Sequence, residues 1–154
     1  MQKQIIGQKN QWTLLEQVGK GDAGEVYKVT SPDHSIIAVL KRPSRNATGG
    51  SIIRQAVQIE NEGRILAILN GIQIKQNKFN LLTPLLLDES DPKTTNTSKY
   101  FIISQQAEGE SLSELLSKAR IKRNVFPREL LLKVITSLFS LFENIHLKGV
   151  LWND

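Results

Sequence analysis

The chain has 154 residues, of which 40% are hydrophobic, 23% charged and none cysteine, and its formal net charge is +5. That length suffices for one domain burying roughly two-thirds of its unfolded surface, and the lack of thiols excludes a disulfide framework and a thiolate metal site. Scattered lysines and arginines among few aromatics argue against a nucleic-acid platform. No apolar run reaches the roughly 18 residues of a membrane span, and the start Met1-Gln2-Lys3-Gln4-Ile5-Ile6 lacks a signal-peptide core. A soluble, cytoplasmic protein with no nucleic-acid or membrane partner is expected.

Residues 1–11 read as a tail from which Ile5 and Ile6 dock as a short strand. Residues 12–18 form a first strand and residues 25–30, rich in β-branched and aromatic side chains, a second. Between them Gly19-Lys20-Gly21-Asp22-Ala23-Gly24-Glu25-Val26 fits G-x-G-x-x-G-x-V. Glycines at this spacing let the backbone turn tightly and approach a phosphate chain, because no Cβ stands in the way. A dinucleotide fingerprint would open a helix, whereas a strand follows here. A P-loop would place Lys and then Ser or Thr directly after Gly24, where Glu25 and Val26 stand. A glycine-rich hairpin tip remains, either a phosphate cradle or an ordinary β-turn. Residues 31–33 make a turn, residues 35–41 a third strand ending in Lys41, and residues 43–50 a flexible connector.

Residues 51–70 carry a helical stripe of Ile52, Ala56, Ile59, Gly63 and Leu66, with Ser51 as N-cap and Asn70-Gly71 as stop. At about 100° per residue Glu60 and Glu62 point to nearly opposite sides. Glu60 has Arg64 four residues on, the order of an exposed ion pair, so Glu62 beside the stripe is the candidate to face inward. A solvated glutamate is the alternative. Residues 81–87 and 100–104 are two further strands, and the polar residues 88–99 between them an exposed, mobile hairpin loop. Ser111 and Glu114 form a capping box for a short helix over residues 111–118. Pro127 opens a long helix, in which Leu130, Val134, Leu138, Leu141 and Ile145 belong to an apolar arc of about 200°. Such an arc needs more than one covering element, and His146 within it reads as a packed structural histidine.

At these residues the sequence resembles the protein kinase family over residues 12–154. The resemblance implies an α+β fold: a five-stranded antiparallel sheet with one helix of the αC type over residues 12–104, a hinge over residues 105–110, and the first helices of a second lobe over residues 111–154. It implies that Gly19, Lys20, Gly21 and Gly24 cover the phosphates of ATP, that Lys41 contacts its α- and β-phosphates, and that Glu62, in a segment like the family's E-x-x-I-L, holds Lys41. Val26 and Val39 would sandwich the adenine, Val39 standing where the family has alanine. Ser104 would be the gatekeeper, and the backbone of Gln105 and Ala107 the adenine-reading edge.

Asp154 aligns with the aspartate that accepts the substrate hydroxyl's proton, with Trp152 and Asn153 in place of the family's histidine and arginine. The asparagine and aspartate that hold Mg2+ in the family would follow Asp154, and no metal ligand is assigned within the chain. The resemblance therefore points to the ATP-binding lobe of a kinase that phosphorylates protein Ser or Thr hydroxyls when intact. This chain alone is expected to be a truncated, inactive fragment that self-associates through the 130–145 helix. An interaction scaffold of the pseudokinase kind and a small-molecule kinase of the same fold are the alternatives.

Overall fold

Strand-forming stretches separated by turn residues dominate the first hundred residues, and they assemble largely into one sheet. The computed structural model describes residues 3–69, 73–76, 79–91, 93, 96–121 and 127–151. In chain order the elements are β1 (Gln4–Ile6), β2 (Gln11–Gly21), β3 (Gly24–Thr30), β4 (Ile37–Arg42), α1 (Gly50–Leu69), β5 (Gln73–Gln76), β6 (Phe79–Leu82), β7 (Leu86–Glu89), a 3-10 turn (Thr97–Lys99), β8 (Ile102–Gln105), α2 (Leu112–Ile121) and α3 (Arg128–Leu147). They divide into two compact units, residues 1–71 with 83–106 and residues 72–82 with 107–154.

The first unit is an antiparallel sheet in the order β1-β2-β3-β4-β8-β7. Ile5 and Ile6 do dock, pairing with Trp12 and Gln11. The expected strand over residues 81–87 is instead divided: Leu81 and Leu82 end the β5–β6 hairpin, while Leu86 and Leu87 begin β7. Pro84 lies at the break, where its ring fixes φ and its nitrogen has no proton to give a ladder. Alternation along the strands makes two cores. Trp12, Val29, Ala38, Leu40, Phe101 and Ile103 pack on one face, and Ile102 on the other meets Ile59 and Leu66 of α1.

Residues 88–99 are not simply the exposed loop that their polarity suggests. Asp88 is 1% exposed, and it accepts hydrogen bonds from Trp12 Nε1 (2.8 Å) and from the backbone N–H groups of Lys9, Asn10 and Glu89. The chain passes this carboxylate at Gly7, where a Cβ would lie 2.1 Å from Asp88 Oδ2. A buried carboxylate is tolerable here because four donors replace its water.

α1 starts one residue before its expected cap: Ser51 already lies in the first turn, its N–H donating to Thr48 O at 3.2 Å. Asn70 and Gly71, the expected stop, lie outside the described residues.

In the second unit α3 runs beside the β5–β6 hairpin. The capping box of α2 is formed, Glu114 Oε2 accepting from Ser111 N at 2.8 Å while Ser111 Oγ accepts from Glu114 N at 3.2 Å. The backbone N–H and the hydroxyl of Ser111, both donating to Glu114 Oε2, hold the Glu114 carboxyl below its ordinary value. The apolar arc of α3 is only partly covered: Ile145 is buried, but Leu131, Ile135, Leu138 and Phe139 are exposed, Phe139 at 72%. His146 is exposed as well, its ring tilted against Phe142 at 6.4 Å between centroids, so it is not the packed histidine its position in the arc suggests. By length and composition α3 could cross a membrane, although its apolar residues are broken into shorter runs by polar ones.

Candidate functional site

The glycine stretch is a hairpin tip. β2 and β3 pair through Gly19↔Val26, Lys20↔Glu25 and Gly21↔Gly24, leaving Asp22 and Ala23 to make the turn. The three glycines have different reasons to be there. Gly24 has φ +116°, and a Cβ on it would lie 2.3 Å from Arg42 O, so the fold itself requires glycine. A Cβ on Gly19 would make an ordinary 3.5 Å contact with Val26, and one on Gly21 would meet nothing within 4 Å. Nothing in the packing asks for glycine at Gly21, which leaves its backbone open to a ligand.

The sheet register then gathers the remaining candidates. Lys41 lies between Val26 on β3 and Ile102 on β8, and Val39 between Lys28 and Ser104. Because strand residues two apart share a face, Val26, Val39, Lys41, Ser104 and Ile102 all stand on the face that α1 covers. Glu62 of α1 is ion-paired there with Lys41. The side chains of Lys41 and Glu62 are 24% and 42% exposed, so their pairing adds little stability. Its effect is to hold the ammonium in place with donors left over for an anion. Gly63 makes this approach feasible, since a Cβ on it would come within 3.0 Å of Ile102 Cγ2. Glu60, by contrast, makes no ion pair with Arg64, whose guanidinium donates instead to Asn61 Oδ1 at 2.8 Å.

The hairpin tip is tied down by residues that the motif leaves unspecified. Glu25, 4% exposed, accepts from Tyr27 OH (3.0 Å), Ser44 Oγ (3.1 Å), Arg45 N (3.4 Å) and Arg42 Nη2 (3.3 Å). Burial pushes its carboxyl up, but the hydrogen bonds from Tyr27, Ser44 and Arg45 and the Arg42 charge outweigh this and hold it below the ordinary value. Gln55 of α1 donates to Asp22 O (3.0 Å) and accepts from Ser44 N (2.9 Å), which fastens the tip to the helix that carries Glu62. Both residues escaped sequence reading, because Glu25 fills a wild-card position and Gln55 looks like any helical glutamine.

At the end of β8, the N–H of Gln105 donates to Leu85 O at 2.9 Å. Its carbonyl is the backbone group it could offer a ligand. Ala107 belongs to the other unit, and Asp154 lies outside the described residues. Among the described residues, no three His, Cys, Asp or Glu side chains come together to hold a metal ion.

No family model matches the chain, and no curated protein matches it in sequence. Solved structures do: 27 chains match, among them a variant of the PknI kinase domain of Mycobacterium tuberculosis, at TM-score 0.59 and 17% identity. The alignment covers 97% of this chain and 53% of the PknI domain, so the chain spans about half the length of that neighbour. The fold is protein-kinase-like. Within this kinase-like fold the curled sheet and α1 correspond to the amino-terminal lobe, and α3 to its long carboxy-terminal helix. The residues fit a nucleotide's phosphates on two structural grounds: the unfilled space at Gly21 and an anchored lysine on the same sheet face as two valines.

Proposed function

We propose that this chain is the ATP-gripping lobe of a protein-kinase-like phosphotransferase, which in the intact protein transfers the γ-phosphate to a Ser or Thr hydroxyl of a protein substrate. The observation that carries the proposal is the Lys41–Glu62 ion pair on the sheet face below an open glycine hairpin. ATP with Mg2+ would supply the transferable phosphoryl group, and phosphoryl transfer asks the protein mainly for positioning and charge neutralisation. Backbone N–H groups around Gly19, Lys20 and Gly21 would take the phosphates, with Gly24 keeping the tip in shape. Lys41 would hold the α- and β-phosphates, oriented by Glu62. Val26 and Val39 would enclose the base, Ser104 would leave room behind it, and the carbonyl of Gln105 with the backbone of Ala107 would read its edge. Asp154 would take the acceptor's proton.

In this reading the 154 residues bind nucleotide, while transfer belongs to the intact protein. Cytoplasmic residence, where ATP is plentiful, goes with it. The domain division at residues 12–104, 105–110 and 111–154 is part of the same proposal, as is self-association of this chain through the apolar side of α3. A scaffold reading keeps one specific support, the same exposed side of α3 as a surface for another protein.

Calorimetric titration with ATP and Mg2+ tests the nucleotide grip. The chain should bind saturably, and Lys41→Ala should weaken binding about 10- to 100-fold, the worth of one charge-assisted hydrogen bond, with little change in melting temperature. Equal binding by the two proteins, or none by either, would remove the proposal. Incorporation of phosphate by the full-length gene product, lost in its Lys41→Ala variant, tests the transfer itself.

A further inference from the structure

Lys41 and Arg42 are consecutive on β4, so their side chains leave the sheet on opposite faces. On the face away from the nucleotide site there is a second opening, a cavity of about 530 Å3 lined by Lys3, Ile5, Arg42, Arg45, Lys99 and Phe101. Four of its six lining residues are cations. Of these cations Arg42 is paired, with Glu25 at 3.3 Å from Nη2; among the described residues, no acid forms an ion pair with the side chain of Lys3, Arg45 or Lys99. The charge gathered there is therefore in excess of anything the fold uses.

Arg42 supplies the second observation. Its side chain is 10% exposed, and its guanidinium lies over the Tyr27 ring with 4.5 Å from Cζ to the ring centroid. Nη2 is engaged by Glu25 and by Tyr27 OH, yet Nε has no hydrogen-bond partner, the one buried side-chain nitrogen or oxygen so placed among the described residues. An arginine fixed by stacking and by Nη2 keeps its guanidinium charge in place beside the cavity, ready to face an oxyanion.

From these residues we infer that this cavity is a binding site for a small phosphate monoester. A phosphate monoester carries close to two negative charges at neutral pH and three acceptor oxygens, a match for several unpaired cations that a single carboxylate cannot make. The volume exceeds what a bare phosphate needs, and Ile5 and Phe101 give the organic part an apolar wall. The site lies apart from the glycine hairpin and does not depend on the nucleotide proposal.

The test uses the whole chain titrated with inorganic phosphate and with phenyl phosphate, followed by calorimetry and by backbone amide shifts at fixed ionic strength. Phenyl phosphate should bind saturably in the millimolar range or below and about tenfold tighter than inorganic phosphate, as burial of its ring against Phe101 and Ile5 predicts. Amides of Arg45, Lys99 and Phe101 should move. Arg45→Gln and Lys99→Gln alter exposed side chains and should leave the fold intact, each weakening binding about tenfold. Lys41→Ala should bind as the parent does. Equal affinity for the two probes would overturn the monoester assignment. Binding unchanged in both glutamine variants, binding lost in Lys41→Ala, or no saturable binding would overturn the site.

Discussion

Glu25 shows how much one side chain in a wild-card position can matter. Its carboxylate ties the strand after the glycine tip to the segment after β4 through Ser44, Arg45 and Arg42, and lysine Nζ of Lys20 stands 4.0 Å away. The folded protein holds this carboxyl below its ordinary value, so folding favours the ionised form. The resulting stability is fully present above the unfolded value of about 4.3 and is lost as pH falls through it toward the depressed folded value. Glu25→Gln should therefore lower stability at pH 7 by about 1–3 kcal/mol, since the amide NH2 would face donors on one side, either Arg42 and Tyr27 or Ser44 and Arg45, and the charge opposite Arg42 would be lost. Urea midpoints of the two proteins should converge as pH falls below about 4. A gap that stays constant from pH 7 to the acid limit would show that Glu25 contributes through packing and not through its charge.

Among the elements, the glycine hairpin and α1 separate what the fold needs from what a ligand needs. Gly24→Ala would force a Cβ to within 2.3 Å of a backbone oxygen at φ +116°, and should cost more than about 2 kcal/mol. Gly21→Ala meets nothing within 4 Å, so its urea midpoint should stay close to that of the parent while ATP affinity falls several-fold. Equal loss of stability in both would mean that the glycines serve only the turn. Gly63→Val, pressing on Ile102, should destabilise by about 1–3 kcal/mol and loosen the Lys41–Glu62 pair. Most of this architecture was legible in the sequence because each piece has a local signature: alternation for the strands, a fixed glycine spacing for the tip, and helical periodicity that turns Glu62 rather than Glu60 toward Lys41. Asp88, Gln55 and Glu25 were not legible. Their roles depend on partners 76, 33 and 17 residues away in the chain, at Trp12, Asp22 and Arg42, and no local pattern marks a polar residue for burial. His146 was misread for the related reason that periodicity finds an apolar side but cannot say whether anything covers it.

For the whole molecule the uncovered side of α3 has the largest consequence. Leu132, Phe139 and Leu147 are 52%, 72% and 80% exposed, and Phe139, Phe142, Glu143, His146 and Leu147 line an open hollow of about 590 Å3. Isolated apolar side chains on a surface need no explanation, but several along one helix, here with Glu143 and His146 among them, are costly in water and favour association. A second copy of the chain offers the same surface at the same concentration, and a twofold arrangement would let each α3 cover the other. Light scattering across micromolar concentrations should therefore show mass rising toward the dimer. Phe139→Asp should hold the chain monomeric by placing a charge in the centre of the apolar surface. Ile6→Asp, equally exposed at 78% but on β1, should leave the association unchanged. If the parent chain is a monodisperse monomer throughout, exposure of α3 does not drive self-association. If both variants disrupt association alike, the contact lies elsewhere and general surface hydrophobicity, not α3, accounts for it.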